Sequence, residues 1–300
     1  MAVISRTNRK SDAFKSYFSG VALVAVAAAV WSLNGVFTRL IAASVATQIA
    51  GRSLFGALFL AGYLIVREKR VPSVRSLPKA GYWLIAALAV SQTCTVFAFN
   101  FTTIANVNLI YAISPFIAAW LAKWLGNEDL PVRTVIASVG CLAGVYVLAG
   151  PSSVEGNAVG IAFAVLMSLS FAFALVLNRV YPDLPMLPIT ISSALIVSLV
   201  FAPLANLETL TLSSTAWLAG FGLSSFVIGM VLFLSGARRI PAALAALIAA
   251  LEFMFAPFWG ILFFGEPITK ELIIGAALIL VSVISHGILD VRVTSSKALL

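Results

Sequence analysis

The chain has 300 residues, 61% of them hydrophobic and only 10% charged, with a mean hydropathy of +1.07. A soluble domain carries roughly a quarter charged residues, so this composition excludes an ordinary water-soluble fold and points to a polytopic membrane protein. The net charge of +8 requires no nucleic-acid partner, because loop residues of one membrane side account for it.

A bilayer core about 30 Å thick takes about 20 apolar residues of helix to cross. Ten such runs are predicted, at 18–41, 45–66, 81–101, 104–125, 132–149, 157–178, 187–204, 215–235, 241–264 and 271–289. The expected fold class is an all-α membrane protein of ten transmembrane helices. The basic leader (Arg6, Arg9, Lys10, Lys15) resembles the start of a signal peptide, but the apolar run behind it exceeds the usual 7–15 residues or so. Residues 1–17 are therefore expected to be a cytoplasmic tail before a retained helix, with 290–300 as the matching C-terminal tail.

Along the chain, span one carries Trp31, Ser32, Asn34 and Arg39. Asn34 is costly in lipid without a bonding partner, so it is expected to point inward. Span two contains Arg52, an expensive group at membrane depth. That span is expected at the periphery, where an arginine can snorkel toward an interface. The basic segment 67–80 is the longest inner loop, and span three then brings Gln92 and Cys94. A short connection at Thr102–Thr103 makes spans three and four antiparallel neighbours. Span four carries Asn106 and Asn108 toward the outer mouth, then Tyr111, Ser114 and Pro115.

Span five holds Gly140 and Gly144 in a GxxxG pattern, and Gly275, Ala276, Ser282 and Ser285 put small residues on span ten. Such faces allow close helix approach. Packing of span five on span ten is the expected use; a homodimer interface is the alternative. Residues 150–156 form a polar outer linker, after which span six offers Ser170, Phe171 and Phe173. The 8–9 connection, Gly236–Ile240, carries Arg238 and Arg239, and Pro241 suits a first helical position because its missing N–H costs nothing there. Span nine carries Glu252 near its middle and then Pro257. A proline removes the bond to the carbonyl four residues back. Pro115 and Pro257 are thus expected to break their helices and free the carbonyls of Tyr111 and Phe253. Cys94 and Cys141 have neither metal-site nor disulfide spacing, and His286 is the one histidine, so no metal or other cofactor is expected.

The second half repeats the first. Glu128 falls on Glu266, Ala137 on Gly275 and Gly144 on Ser282, at an offset of 138 residues; Gly20 falls on Gly160, Trp31 on Phe171 and Arg39 on Arg179, at 140. The repeats are expected at 18–149 and 157–289. Five spans per unit is an odd number, so the second unit is expected to enter the bilayer from the opposite face, giving two inverted five-helix repeats. With the N-terminus inside, 16 of the 19 Lys and Arg residues fall on the cytoplasmic side. That asymmetry orients both termini to the cytoplasm.

Inverted-repeat carriers bind substrate near mid-depth, at paired helix interruptions. The expected substrate-binding residues are Trp31, Asn34, Gln92, Tyr111, Ser114, Phe171 and Glu252, with Pro115 and Pro257 as helix breaks. Glu252 either meets a substrate ammonium or binds a proton, or else it braces the bundle by bonding neighbours or pairing with Arg52. Trp31 and Phe171 would form an aromatic floor, or simply pack.

The segments "WSLNGVFTR", "RSLFGALFLAGYL" from Arg52, "ISPFIAAWLAKWLGNE" and "ALEFMFAPFWGILFFGEP" resemble the ten-helix EamA-type members of the drug/metabolite transporter superfamily. The doubled Gly-(x)-Glu, at Gly126-Asn127-Glu128 and Gly265-Glu266, is the most specific element. An inserted Asn127, and a proline at 257 where many members have it near 253, depart from the pattern. By overall similarity the chain looks most like the YddG-type exporters of aromatic amino acids. The resemblance implies outward transport of amino acids, aromatic and other neutral ones, across a bacterial inner membrane. Glu128 and Glu266 would then be caps near helix N-termini, where a carboxylate is favoured. Export of drugs, nucleobases or other small metabolites is the alternative within transport. An intramembrane enzyme is the remote alternative, since such chemistry needs clustered carboxylates or metal ligands.

Overall fold

In the computed structural model, residues 2–69, 77–102, 104–126, 131–149, 158–206, 208, 210–265 and 268–297 are described, and they are helical apart from short connections. Each predicted run falls on helix. Span one is α1 (Ala2–Trp31) and α2 (Asn34–Leu40), span two α3 (Val45–Glu68), span three α4 (Lys79–Phe101). Span four is α5 (Ile104–Tyr111) with α6 (Ser114–Gly126), span five α7 (Val132–Ala149), span six α8 (Ala158–Val180), span seven α9 (Met186–Phe201). Span eight runs α10 (Leu212–Gly222), a π-helical stretch (Leu223–Met230) and α11 (Val231–Ala237). Span nine is α12 (Ala242–Ala249) with α13 (Leu251–Phe264), and span ten is α14 (Lys270–Lys297). Among the described residues nine of these runs are long and apolar enough to cross a bilayer, and Val132–Val147 adds a shorter apolar helix. Helix is imposed by the solvent: lipid offers no partner for backbone N–H and C=O groups, so each must bond within its own segment.

The distribution of side chains inverts that of a water-soluble protein. Val66, Trp124, Leu199 and Val281 stand exposed, whereas Gln48, Arg52, Gln92, Asn178 and Thr190 are buried. An apolar surface of this extent is a liability in water and a favourable one against acyl chains.

Two helices start on side-chain caps. Ser44 accepts from the Thr47 N–H at 3.3 Å at the start of α3, and Thr211 accepts from the Ser214 N–H at 3.1 Å before α10. α13 ends on Gly265 with φ of 65°, the left-handed conformation glycine adopts without steric cost.

Connections are tied in sets. The Asn206 N–H donates to Thr47 Oγ1 at 2.9 Å, joining the 1–2 and 7–8 connections. Arg238 Nε donates to Asn178 Oδ1 at 3.1 Å and its Nη2 to the Leu184 carbonyl at 2.5 Å, joining the 6–7 and 8–9 connections. Burial pushes the Arg238 pKa down, and the Asp183 carboxylate offsets part of that.

Gly20 and Gly160, equivalent in the repeat, occupy equivalent surroundings. A Cβ on Gly20 would lie 2.8–3.1 Å from Gly236, Arg239 and Ile240, and one on Gly160 would lie 2.6–2.7 Å from Phe101 and Thr102. Each repeat thus starts against the connection between the third and fourth spans of the other repeat. α7 packs on α14: a Cβ on Gly140 would strike Ser282, and one on Gly144 would lie 2.9 Å from the Gly275 carbonyl and Ile279. Thr134 Oγ1 and His286 Nε2, 2.8 Å apart, join the same two helices. The small-residue face is therefore covered within the chain, by the first of its two expected uses. Glu128, Glu266 and the linker 150–156 lie outside the described residues.

Candidate functional site

A cavity of about 100 Å³ lies inside the bundle, lined from spans one, two, three, four, six, eight and nine. Trp31, Phe171, Ser225 and Glu252 line it, and each falls near the middle of its apolar run.

Four of the lining helices, in spans one, four, eight and nine, are interrupted or distorted beside it. Span one turns tightly at Ser32–Leu33, where the Leu33 N–H bonds the Val30 carbonyl at 3.2 Å. Span four does so at Ala112–Ile113, where the Ile113 N–H bonds Ile110 at 3.1 Å. Span eight passes through its π-helical stretch, a distortion that recurs at functional sites. Ser225, within that stretch, accepts Trp31 Nε1 on its carbonyl at 3.2 Å and donates its hydroxyl to Asn34 Oδ1 at 2.9 Å. Asn34 thereby finds its partner across the interface between the halves. Gly229 lies against the Trp31 indole, where any Cβ would overlap it.

The rings form a connected wall. Tyr111 sits 5.4 Å from Phe253 and 5.2 Å from Phe171, and Phe171 lies 6.3 Å from Trp31 and 5.3 Å from Phe233. Polar atoms face the same space from Ser91, Gln92, Thr95, Asn108 and Glu252.

Six of the seven expected binding residues meet here: Trp31, Asn34, Gln92, Tyr111, Phe171 and Glu252. Ser114 does not. It is 1% exposed, and its hydroxyl donates to the Tyr111 carbonyl at 2.5 Å, the very acceptor that Pro115 leaves without its helical donor. The expected break at Pro257 is also corrected. Pro257 lies inside α13, and span nine is interrupted earlier, at Ala250, where the Phe253 N–H bonds the Ala250 carbonyl at 3.1 Å. A proline lacks one donor, but neighbouring helices can hold the segment straight enough to continue.

Arg52 was expected at the periphery. Instead it lines the cavity at 5% exposure, donating Nη2 to the Gln92 carbonyl at 3.4 Å and lying 4.9 Å from the Phe221 ring centre and 5.8 Å from that of Phe226. These contacts replace the pairing with Glu252 that the sequence allowed. The cause is the crossing of spans two and eight: a Cβ on Gly222 would lie 2.7 Å from the Arg52 carbonyl and 2.6 Å from the Gly56 nitrogen. Gly51 and Gly56 around Arg52, with Gly222 on span eight, are the signal that would have found it. Ser225, Phe226 and Met230 were missed because nothing in an apolar run announces a π-helical turn.

A model of the EamA-like transporter family matches residues 18–150 and again residues 158–286. The chain belongs to the EamA-like transporter family. As an EamA-like protein it is a multi-pass membrane transporter of small molecules, and the cavity enclosed by both matched segments is the natural place to look for its substrate. Among 29 matching chains of solved structures, one crystal structure superimposes with a TM-score of 0.78 at 17% identity, covering 90% of this chain and 98% of its own. At that identity the likeness concerns the fold. No curated protein matches the chain.

Proposed function

We propose that this EamA-like transporter exports amino acids, aromatic and other neutral ones, from the cytoplasm across a bacterial inner membrane by alternating access. The two repeats are inverted about an axis in the membrane plane, and both termini are cytoplasmic. Substrate sits between them, touching Trp31, Asn34, Gln92, Tyr111, Phe171 and Glu252. One observation carries the reading: a cavity walled by rings from both halves, with a single carboxylate among its lining residues. The rings suit an apolar or aromatic side chain, and Glu252 suits an ammonium group. Five apolar spans per matched repeat, and the exchanged surroundings of Gly20 and Gly160, support the inversion.

The ion-pairing demand of a carboxylate at this depth favours a charged solute over a neutral nucleobase. Reconstitution into liposomes with labelled tryptophan, phenylalanine, threonine and methionine tests the proposal. Protein-dependent flux of the aromatic members is expected; flux of none of the four rejects the substrate class and leaves drug or metabolite export.

A further inference from the structure

Arg52 is a buried cation that, among the described residues, bonds one carbonyl and lies over two rings. Among the described residues its Nε has no hydrogen-bond partner, and neither do Nε2 and Oε1 of Gln92 beside it. Both side chains are more than nine-tenths buried and both line the cavity. Unpaired buried donors are costly and native proteins rarely leave them so. A guanidinium is also the group best shaped to take a carboxylate through two parallel bonds.

Glu252 belongs to a different part of the lining. Beside it Phe253 meets Tyr111, Tyr111 meets Phe171, and Phe171 meets Trp31. Trp31 then bonds Ser225, next to Phe226, one of the two rings flanking Arg52. Ring contacts therefore run from Phe253 to Trp31, and a hydrogen bond links Trp31 to the turn that precedes Phe226.

We infer that Arg52 and Gln92 form the anionic subsite of this cavity, receiving the carboxylate of the transported solute. The inference rests on the amino-acid reading and sharpens it: the site selects for a solute that carries a free carboxylate. The substrate brings Arg52 its missing counter-charge and gives the unpartnered Nε–H an oxygen to end on.

The test uses labelled phenylalanine flux in liposomes, competed by unlabelled phenylalanine, phenylalanine amide, phenethylamine and 3-phenylpropionate. A site built around a carboxylate rejects analogues lacking it, so the amide and the amine should compete at least about tenfold more weakly than phenylalanine. In Arg52→Gln that preference should vanish, and in Arg52→Lys it should survive in part. Thermal stabilisation of the detergent-solubilised protein by 3-phenylpropionate supplies a readout that needs no flux. Stabilisation of the native protein, lost in Arg52→Gln, upholds the subsite even where no amino acid is carried, and in that case only the amino-acid reading fails. Equal competition by phenylalanine and its amide in the native protein overturns the inference, whatever the variants do. So does stabilisation by inorganic phosphate without any by 3-phenylpropionate, or an equal loss of all ligands in Arg52→Gln.

Discussion

Glu252 and Ser114 occupy equivalent positions in the two repeats, yet their side chains serve different ends. Ser114 turns back on its own helix, and Glu252 faces the cavity. The difference is chemical: a serine hydroxyl can reach a carbonyl within its own turn, whereas a carboxylate only accepts and finds no acceptor's partner there. Replacing Ser114 with Ala should cost about 1 kcal/mol of stability and leave the KM for transported substrate unchanged; a raised KM would return Ser114 to the binding surface. Replacing Glu252 with Gln should reduce flux at least about tenfold, the effect expected when one partner of a buried ion pair is removed, with the yield of folded protein maintained. Unchanged flux with reduced yield would instead make Glu252 a brace for the bundle. Imposing a pH difference across the liposomes separates the two remaining roles. Flux indifferent to the gradient means facilitated diffusion, with Glu252 meeting the ammonium rather than carrying a proton.

Among the elements, spans four and nine show the repeat most plainly. Each begins with a helix of eight residues, α5 and α12, offset by 138 positions, and each is then interrupted by a single tight turn. In span four the turn precedes Ser114-Pro115, but in span nine it arises without a proline and Pro257 follows inside α13. Equivalent breaks built from different residues indicate that packing at the cavity, rather than one residue type, sets them. This is why a proline search located one break and misplaced the other. Spans five and ten illustrate the opposite case, in which small residues alone identified the contact. A Gly144→Leu substitution should push α7 off α14 and destabilise the protein by about 1–3 kcal/mol, with the oligomeric state unaltered. A shift in oligomeric state without loss of stability would reassign that face to a dimer.

At the scale of the whole molecule, the cavity breaks the symmetry that the sequence repeats. Its lining extends to Phe99, Val107 and Asn108, close to the 3–4 connection. Their counterparts at an offset of 138, Ala237, Ala245 and Ala246, do not line it, and the second half reaches only Met230 on that side. If the repeats are inverted, the cavity extends further toward one membrane face than the other, a lopsidedness that alternating access requires. A cysteine at Asn108 should therefore react with a membrane-impermeant maleimide added from the outer face, in a Cys94→Ser, Cys141→Ser background, and excess substrate should protect it. Reaction from the cytoplasmic face alone would reverse the proposed orientation.

The amino-acid sequence by itself determined the helical class, the positions of the apolar spans, the repeat, and six residues of the cavity wall. Lipid enforces the first two, since an apolar run with no water to bond must be helix, and duplication preserves the others in register. The tertiary structure decided the inward course of Arg52, the retreat of Ser114, the π-helical turn at Ser225 and the location of the span-nine break. The course of Arg52 and the turn at Ser225 depend on how closely helices approach across Gly222 and Gly229. The Ser114 bond and the Ala250 turn depend on local backbone hydrogen bonding. A run of apolar residues encodes neither.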